Sequence, residues 1–290
     1  MKLKEIRFSK VQGLGNDFLI IRTGDVSALG DAPEMAIRMC DRNFGAGADG
    51  IVFIARARHE DHEHADFDSR IFNADGSEAE ISGNGTRCAA AYLYYTGTWG
   101  EPEVKIRTAA GVKRGRLVSR AGPRFEFAFD MGRPRLSSDA IGMALDPPLD
   151  EVVRYPLRLG GDVFEVTCVS MGNPHCALFV PNLGEVNLAE IGPLIEDHPI
   201  FPNRTNVEFV RVISRDEIEV RFWERGVGRT LSSGTGSSSA AIAAALNGLT
   251  GRNVRVLTAG GELEVDWRED DTVILTGPAE MIYEGRWLRD

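Results

Sequence analysis

The sequence predicts an α+β protein built as two pseudo-symmetric domains, each a β-sheet wrapped around one central helix, and three observations lead there. The chain repeats itself: Ser82-Gly83-Asn84-Gly85 opens an apolar run that stops at Gly97, Ser233-Gly234-Thr235-Gly236 opens another that stops at Gly248, and both intervals are 15 residues. The repeat extends beyond the serines. A Gly-Asn pair lies upstream of each, with Asn16 66 residues before Ser82 and Asn173 60 before Ser233; Thr108-Ala109-Ala110-Gly111 follows Ser82 by 26 residues, and Thr258-Ala259-Gly260-Gly261 follows Ser233 by 25. Self-similarity over so long an interval marks two similar domains, and two equivalent hydroxyls are expected to meet across a cleft. Third, most remaining segments read as short strands rich in Val, Ile, Phe and Thr, separated by turn residues.

Taken in order, strands are expected over 17–22, 50–56, 104–108 and 124–129 in the first half, and over 163–170, 175–180, 205–212, 217–224 and 254–257 in the second. Four helices interrupt them. The first, 33–41, begins with a proline, whose missing N–H costs nothing in a first turn; another spans 188–196. The remaining two follow the serines and contain Cys88-Ala89-Ala90-Ala91-Tyr92-Leu93 and Ala240-Ala241-Ile242-Ala243-Ala244-Ala245-Leu246, runs without a charge. A helix apolar on all sides is buried, so these two are the expected centres of the halves. The connection between halves is expected near 132–150, where Gly, Pro, Ser and Asp break the strand pattern.

Composition bounds the function. At 290 residues, with 43% hydrophobic and 26% charged, the chain is globular and long enough for two domains with separate cores. A net charge of −10 argues against nucleic acid or an anionic membrane surface as partner, since both require a basic face. Met1-Lys2-Leu3-Lys4-Glu5 runs directly into an alternating strand, and no apolar stretch approaches the ~20 residues of a membrane helix, so a cytoplasmic location is expected. Cys40, Cys88, Cys168 and Cys176 lack metal-site or redox spacing and read as buried small apolar residues.

The chemistry follows from the two serine turns. A helix N-terminus offers unpaired N–H groups and partial positive charge, and glycines admit a ligand close to the backbone. Two such ends would hold a carboxylate and stabilise negative charge developing beside it. Removing a proton α to a carboxylate builds such charge, and inverting that carbon requires an acid and a base on opposite faces. The plainer account is that both serines are N-caps, a role serine fills well.

Six segments extend the pattern: Gly13-Leu14-Gly15-Asn16-Asp17-Phe18, Asp41-Arg42-Asn43-Phe44-Gly45, Phe72-Asn73-Ala74-Asp75-Gly76-Ser77-Glu78, Gly83-Asn84-Gly85-Thr86-Arg87-Cys88, Met171-Gly172-Asn173-Pro174-His175-Cys176, and Glu224-Arg225-Gly226-Val227-Gly228 followed by Gly234-Thr235-Gly236. In this order, from about residue 8 to residue 261, they resemble the signature segments of diaminopimelate epimerases. The resemblance implies a PLP-independent amino-acid epimerase of lysine and peptidoglycan-precursor synthesis. It further implies two mixed β-sheet (barrel-like) domains, residues 1–132 joined by a C-terminal strand at about 276–290 and residues 133–275, with the site in the cleft between them. It requires no cofactor and no metal; the partner is a small amino-acid substrate, and a homodimer is compatible with it.

The chain departs from that pattern at its centre. The family's two acid/base residues are cysteines, and the matching positions here are Ser82 and Ser233. A thiol titrates near 8.5 and an unactivated alcohol several units higher, each unit costing about 1.4 kcal/mol of ionisation free energy. Losing both thiols slows deprotonation by orders of magnitude unless something compensates. A serine needs an adjacent base, and the resemblance offers His175 and Glu224, which match positions beside the catalytic pair. Cys88, six residues along the helix from Ser82, is no substitute. Three accounts of the exchange stay open: a serine pair tuned by its neighbours, a substitution that traps bound substrate, or a fold that binds without turnover.

For substrate binding the resemblance points to Asn16, Asn73, Asn173, Asn206, Glu224 and Arg225, with the backbone of Gly83, Asn84, Gly234 and Thr235. Arg225 can hold a carboxylate through two parallel bonds, and Glu224 can accept from an ammonium. Asn73 and Asn206 also fit as turn residues, and Gly50 stands where some family members carry a binding Gln. The alternatives are a non-catalytic binder of a diamino dicarboxylic acid and a racemase, isomerase or lyase relative acting on another amino acid. Two other motifs carry less weight. Gly45-Ala46-Gly47-Ala48-Asp49-Gly50 matches GxGxxG but leads into a strand, which fails the context of a dinucleotide site. His59-Glu60-Asp61-His62-Glu63-His64 reads as a solvated loop rather than a metal site.

Overall fold

The computed structural model describes residues 4–58, 65–79 and 82–289, so the His-rich segment 59–64 lies outside the described residues. By its internal contacts the chain divides into a first unit, Met1–Phe129 with Gly277–Asp290, and a second, Asp130–Thr276.

In the first unit the order is β1 (Lys4–Gly13), β2 (Asn16–Arg22), α1 (Ala32–Cys40), β3 (Gly50–Arg56), β4 (Phe67–Asn73), β5 (Glu78–Ala79), α2 (Gly83–Tyr95), β6 (Glu103–Thr108), β7 (Gly111–Ala121) and β8 (Arg124–Gly132). In the second come α3 (Ser138–Ile141), β9 (Val152–Leu159), β10 (Asp162–Ser170), β11 (Pro174–Phe179), α4 (Leu188–Glu196), β12 (Asn206–Ser214), β13 (Glu217–Glu224), β14 (Gly228–Thr230), α5 (Gly234–Leu246), β15 (Asn253–Thr258), β16 (Gly261–Trp267) and β17 (Val273–Arg289).

The pairings show that the repeat in sequence is a repeat in structure. In the first unit β1–β2, β3–β4, β4–β5, β6–β7 and β7–β8 are antiparallel, while β2–β3 and β4–β6 are parallel. The second unit reproduces these senses in order: β10–β11, β12–β13, β13–β14, β15–β16 and β16–β17 are antiparallel, and β11–β12 and β13–β15 parallel. Both sheets are therefore mixed. The outer face of β1 is taken by the later part of β17, and β8 also pairs with β17, which closes the first unit's strands into a circuit; β10 takes β9 in the matching place.

Each sheet encloses its expected helix. In α2, Cys88, Ala89, Ala90 and Ala91 are wholly buried, and α5 packs against six strands, from β10 to β16. Both are 13 residues long and alanine-rich, so short side chains bring the sheet close around the helix axis. Phenylalanines such as Phe53, Phe67, Phe125 and Phe127 fill the first core, each contributing roughly 1.5–3 kcal/mol by burial.

Two local expectations change. Within 132–150, expected to hold the connection between halves, α3 forms, capped by Ser137, and Ile141 and Met143 join the second unit's core. The cause is a pair of apolar anchors spaced within a Gly/Pro-rich run, which local composition alone reads as linker. The strands β4, β7, β9 and β16 lie outside the expected strand ranges, much of β7 being exposed, whereas β17 runs through the place of the C-terminal strand that the resemblance implies. Among the described residues, no helix is long and apolar enough to cross a membrane.

Candidate active site

Both serines cap their helices. Ser82 (φ −134°, ψ 116°) accepts from the Gly85 N–H at 3.0 Å, and Ser233 (φ −138°, ψ 127°) from the Gly236 N–H at 3.3 Å. Capping and chemistry are compatible, because the N–H that satisfies the hydroxyl oxygen also stabilises it if it loses its proton.

Next to each serine turn lies the Asn that the repeat predicts. Asn84 Nδ2 donates to Asn16 Oδ1 at 3.3 Å, and in the second unit Asn173 Nδ2 donates to Thr235 Oγ1 at 3.4 Å. Each Asn follows a glycine at positive φ, Gly15 at 83° and Gly172 at 100°, a turn that side chains disfavour. The same frame is thus built twice.

The groups behind the frame differ. In the first unit Asn16 donates to Asp49 at 2.8 Å, and Arg42 bridges Asp49 and Asp17 at 2.7 and 2.9 Å. Burial pushes the Asp17 carboxyl up, but hydrogen bonds from Arg42 and Lys10 outweigh it and hold it at about 2. Beneath Asn84 sits Arg87, wholly buried, bonded to the Asn84 side chain and to Pro278 O. Burial lowers Arg87 to about 10, which leaves it charged at neutral pH.

In the second unit His175, 1% exposed, has Nδ1 2.7 Å from Glu208 Oε1 and Nε2 3.0 Å from Asn173 Oδ1. Glu224, on β13, accepts from Thr230 at 2.5 Å and from the Ser233 hydroxyl. Burial raises its carboxyl above the ordinary value; bonds from Thr230 and Ser233 and the proximity of His175 only partly offset this, while Glu208 adds to it.

Register identifies the counterparts. Phe18 faces Gly50 across β2–β3 as His175 faces Asn206 across β11–β12, so Phe18 occupies the place of His175. Two steps on, Ile20 faces Val52 as Ala177 faces Glu208. Asn73 ends β4 where Glu224 ends β13. The ionisable pair His175 and Glu224 thus corresponds to Phe18 and Asn73.

The remaining sequence candidates divide the same way. Asn73 is exposed and bonded to Ser77 Oγ at 3.0 Å, across a turn. Asn206 donates to Pro174 O at 2.8 Å and accepts from Arg225 N at 3.0 Å, fixing the backbone of Arg225, whose exposed guanidinium bonds Asn203 O. That turn is held further by Glu196, which accepts from Gly226 N and Trp223 Nε1, both at 2.7 Å. Gly83 and Gly234 open α2 and α5. Cys88 is wholly buried, and burial raises its thiol to about 12, so it supplies no thiolate. The Gly45–Gly50 motif leads into β3, a strand, which removes the dinucleotide reading.

Sequence reasoning missed Arg87, Glu208, Glu196 and Thr230. Arg87 was marked by being a lone charge at the head of a helix otherwise apolar on all sides, and Glu208 by interrupting the apolar run of β12.

Comparison with known proteins is consistent with this arrangement. Residues 8–137 and 167–282 match the family model described as diaminopimelate epimerase. The diaminopimelate epimerase of Pelotomaculum thermopropionicum is 44% identical over 97% of this chain and 99% of its own length. That of Moorella thermoacetica is 43% identical over 98% and 100%. Among solved structures, a hydroxyproline epimerase from Agrobacterium vitis matches with a TM-score of 0.67 over 99% of this chain and 92% of that one, at 16% identity, a likeness of fold.

Proposed function

The chain belongs to the diaminopimelate epimerase family, and on that premise we propose that it is an isomerase that epimerises LL-diaminopimelate to meso-diaminopimelate without a cofactor. The reaction removes the α-proton from one face of the carbon and returns a proton to the other. The observation that carries this reading is the doubled frame, in which a serine caps a buried helix and an Asn bonds the residue two beyond it.

In this reading Ser233 is the better equipped hydroxyl. Glu224 accepts its proton, the Gly236 N–H steadies the resulting oxygen, and the positive end of α5 favours negative charge there. The upward shift of Glu224 brings its basicity closer to what proton transfer at neutral pH requires. Ser82, the second catalytic hydroxyl of the reading, caps α2, where Arg87 adds a fixed positive charge beneath Asn84. His175 assists as a donor to the carboxylate side of the transition state. Asn16, Asn73, Asn173 and Asn206, with the backbone N–H groups of Gly83, Asn84, Gly234 and Thr235, bind the substrate's amino-acid groups, and Arg225 pairs with a carboxylate.

Proton NMR of LL- and meso-diaminopimelate in D2O, with the Ser82→Cys, Ser233→Cys double variant alongside, tests the proposal. Loss of the α-proton signal with interconversion of the isomers supports it. Exchange by the cysteine variant alone makes the natural protein a binder with a disabled pair, and exchange by neither removes diaminopimelate as the substrate.

A further inference from the structure

We infer that Glu208 is a positioning residue that acts through His175, keeping the proton on Nδ1 so that Nε2 is the nitrogen that gains and loses one beside α5; the inference deepens the epimerase reading above and rests on it.

The placement of Glu208 is unusual for a carboxylate. It sits mid-strand in β12, 1% exposed, between Val207 and Phe209, both wholly buried. The matching residue of the other repeat is Val52, also wholly buried, so this strand position needs no carboxylate to fold. A buried carboxylate is retained against its desolvation cost only where it is bonded, and Glu208 has two bonds: His175 Nδ1 at 2.7 Å and the Cys176 backbone N–H. Burial still raises its carboxyl above the ordinary value, with His175 pulling the other way. The helix has made room for it. A Cβ on Gly236 would lie 2.9 Å from Glu208 Oε1, so the first turn of α5 admits the carboxylate only because residue 236 has no side chain.

The opposite ring nitrogen has a reversible partner. With the Asn173 amide as placed, its oxygen lies 3.0 Å from Nε2, which then donates to it. With the amide turned over, its NH2 donates to Nε2 and its oxygen accepts from the Thr235 hydroxyl, which lies 3.4 Å from the amide's far atom. While Glu208 is ionised it offers Nδ1 only an acceptor, so Nδ1 keeps its proton in both arrangements. Proton traffic is therefore confined to Nε2, and Asn173 adapts to either state. Glu224, bonded to the Ser233 hydroxyl, and the buried Cys176 thiol are further titratable groups acting on this pair.

The test reads ring protonation directly. Nitrogen-resolved NMR of the histidine rings is expected to show His175 Nδ1 protonated in the parent throughout the neutral range. In Glu208→Val, the repeat's own alternative, the Nδ1 proton should be lost and kcat for α-proton exchange should fall about 10–100-fold with KM nearly unchanged. Glu208→Gln, which keeps an acceptor oxygen, should recover part of both. A parent whose His175 carries its only proton on Nε2 at neutral pH overturns the inference whether or not the valine variant folds. So does a folded valine variant that exchanges at the parental rate, or a folded glutamine variant as impaired as valine. A parent that leaves the diaminopimelate α-proton untouched removes the epimerase reading, while the ring spectrum still decides the role of Glu208.

Discussion

The heads of α2 and α5 are built alike and equipped differently. Each has a capping serine, a glycine three residues on that donates to it, and an Asn that follows a positive-φ glycine and bonds the residue two beyond the serine. Behind α2 the buried charge is a cation, Arg87, and behind α5 it is an acid, Glu208, bonded to His175, with Glu224 on Ser233. Repetition of a sequence thus reproduces the scaffold while leaving the buried polar groups free to diverge. The two hydroxyls expected to be equivalent share a cap geometry, but among the described residues only Ser233 is bonded to a carboxyl.

Replacing serine with cysteine breaks this difference most strongly. The Ser82→Cys, Ser233→Cys variant should raise the α-proton exchange rate by at least about a hundredfold, since each unit of acidity gained is worth about 1.4 kcal/mol. Measured singly, Ser82→Cys should gain more than Ser233→Cys, because the Ser233 hydroxyl is already bonded to the Glu224 carboxyl. Equal gains would show that the two ends are equivalent after all.

Glu224→Gln should lower kcat by roughly 10²–10⁴-fold. Because burial raises the Glu224 carboxyl, exchange in the parent should fall with decreasing pH through a value above the ordinary glutamate range, and the glutamine variant should lack that limb. A pH–rate profile of both proteins measures this.

Asp17→Asn probes the acid network behind α2. Asp17 is held at about 2 against an ordinary 3.8, and its side chain is 15% exposed, so its ionised form stabilises the fold by about 2 kcal/mol at neutral pH. A depressed carboxylate contributes above its unfolded value and loses that contribution as pH falls. The denaturant-derived stability gap between parent and variant should therefore be full above about pH 4 and close towards pH 2.

The smallest effect is the most diagnostic of scaffold identity. Ser82→Ala and Ser233→Ala each remove one cap and should cost about 1 kcal/mol in thermal or denaturant unfolding. Similar losses of stability alongside dissimilar losses of exchange would separate what the two serines share from what they do not.

Much of this was legible in the sequence because it depends on local rules. The apolar runs after Ser82 and Ser233 declared buried helices, the Gly-Asn and Ser-Gly-x-Gly spacings declared a repeat, and strands such as 50–56 and 217–224 coincide with segments carrying Ile and Val. The segment 132–150 misled because turn residues outnumber Ile141 and Met143, whose anchoring is a matter of packing. Asn206 read equally well as ligand or turn residue, and only the structure shows its amide bonded to Pro174 O and Arg225 N.

The sequence by itself determined the duplicated fold, the family and the serines at the two helix heads, because composition, periodicity and motif order are properties of the chain. That a buried acid stands behind His175 was decided by the tertiary structure. Strand register brings Glu208 to His175 across 33 residues. No local pattern encodes such pairings, since the free energy that permits a buried charge arises only when the partner is brought to it by the fold.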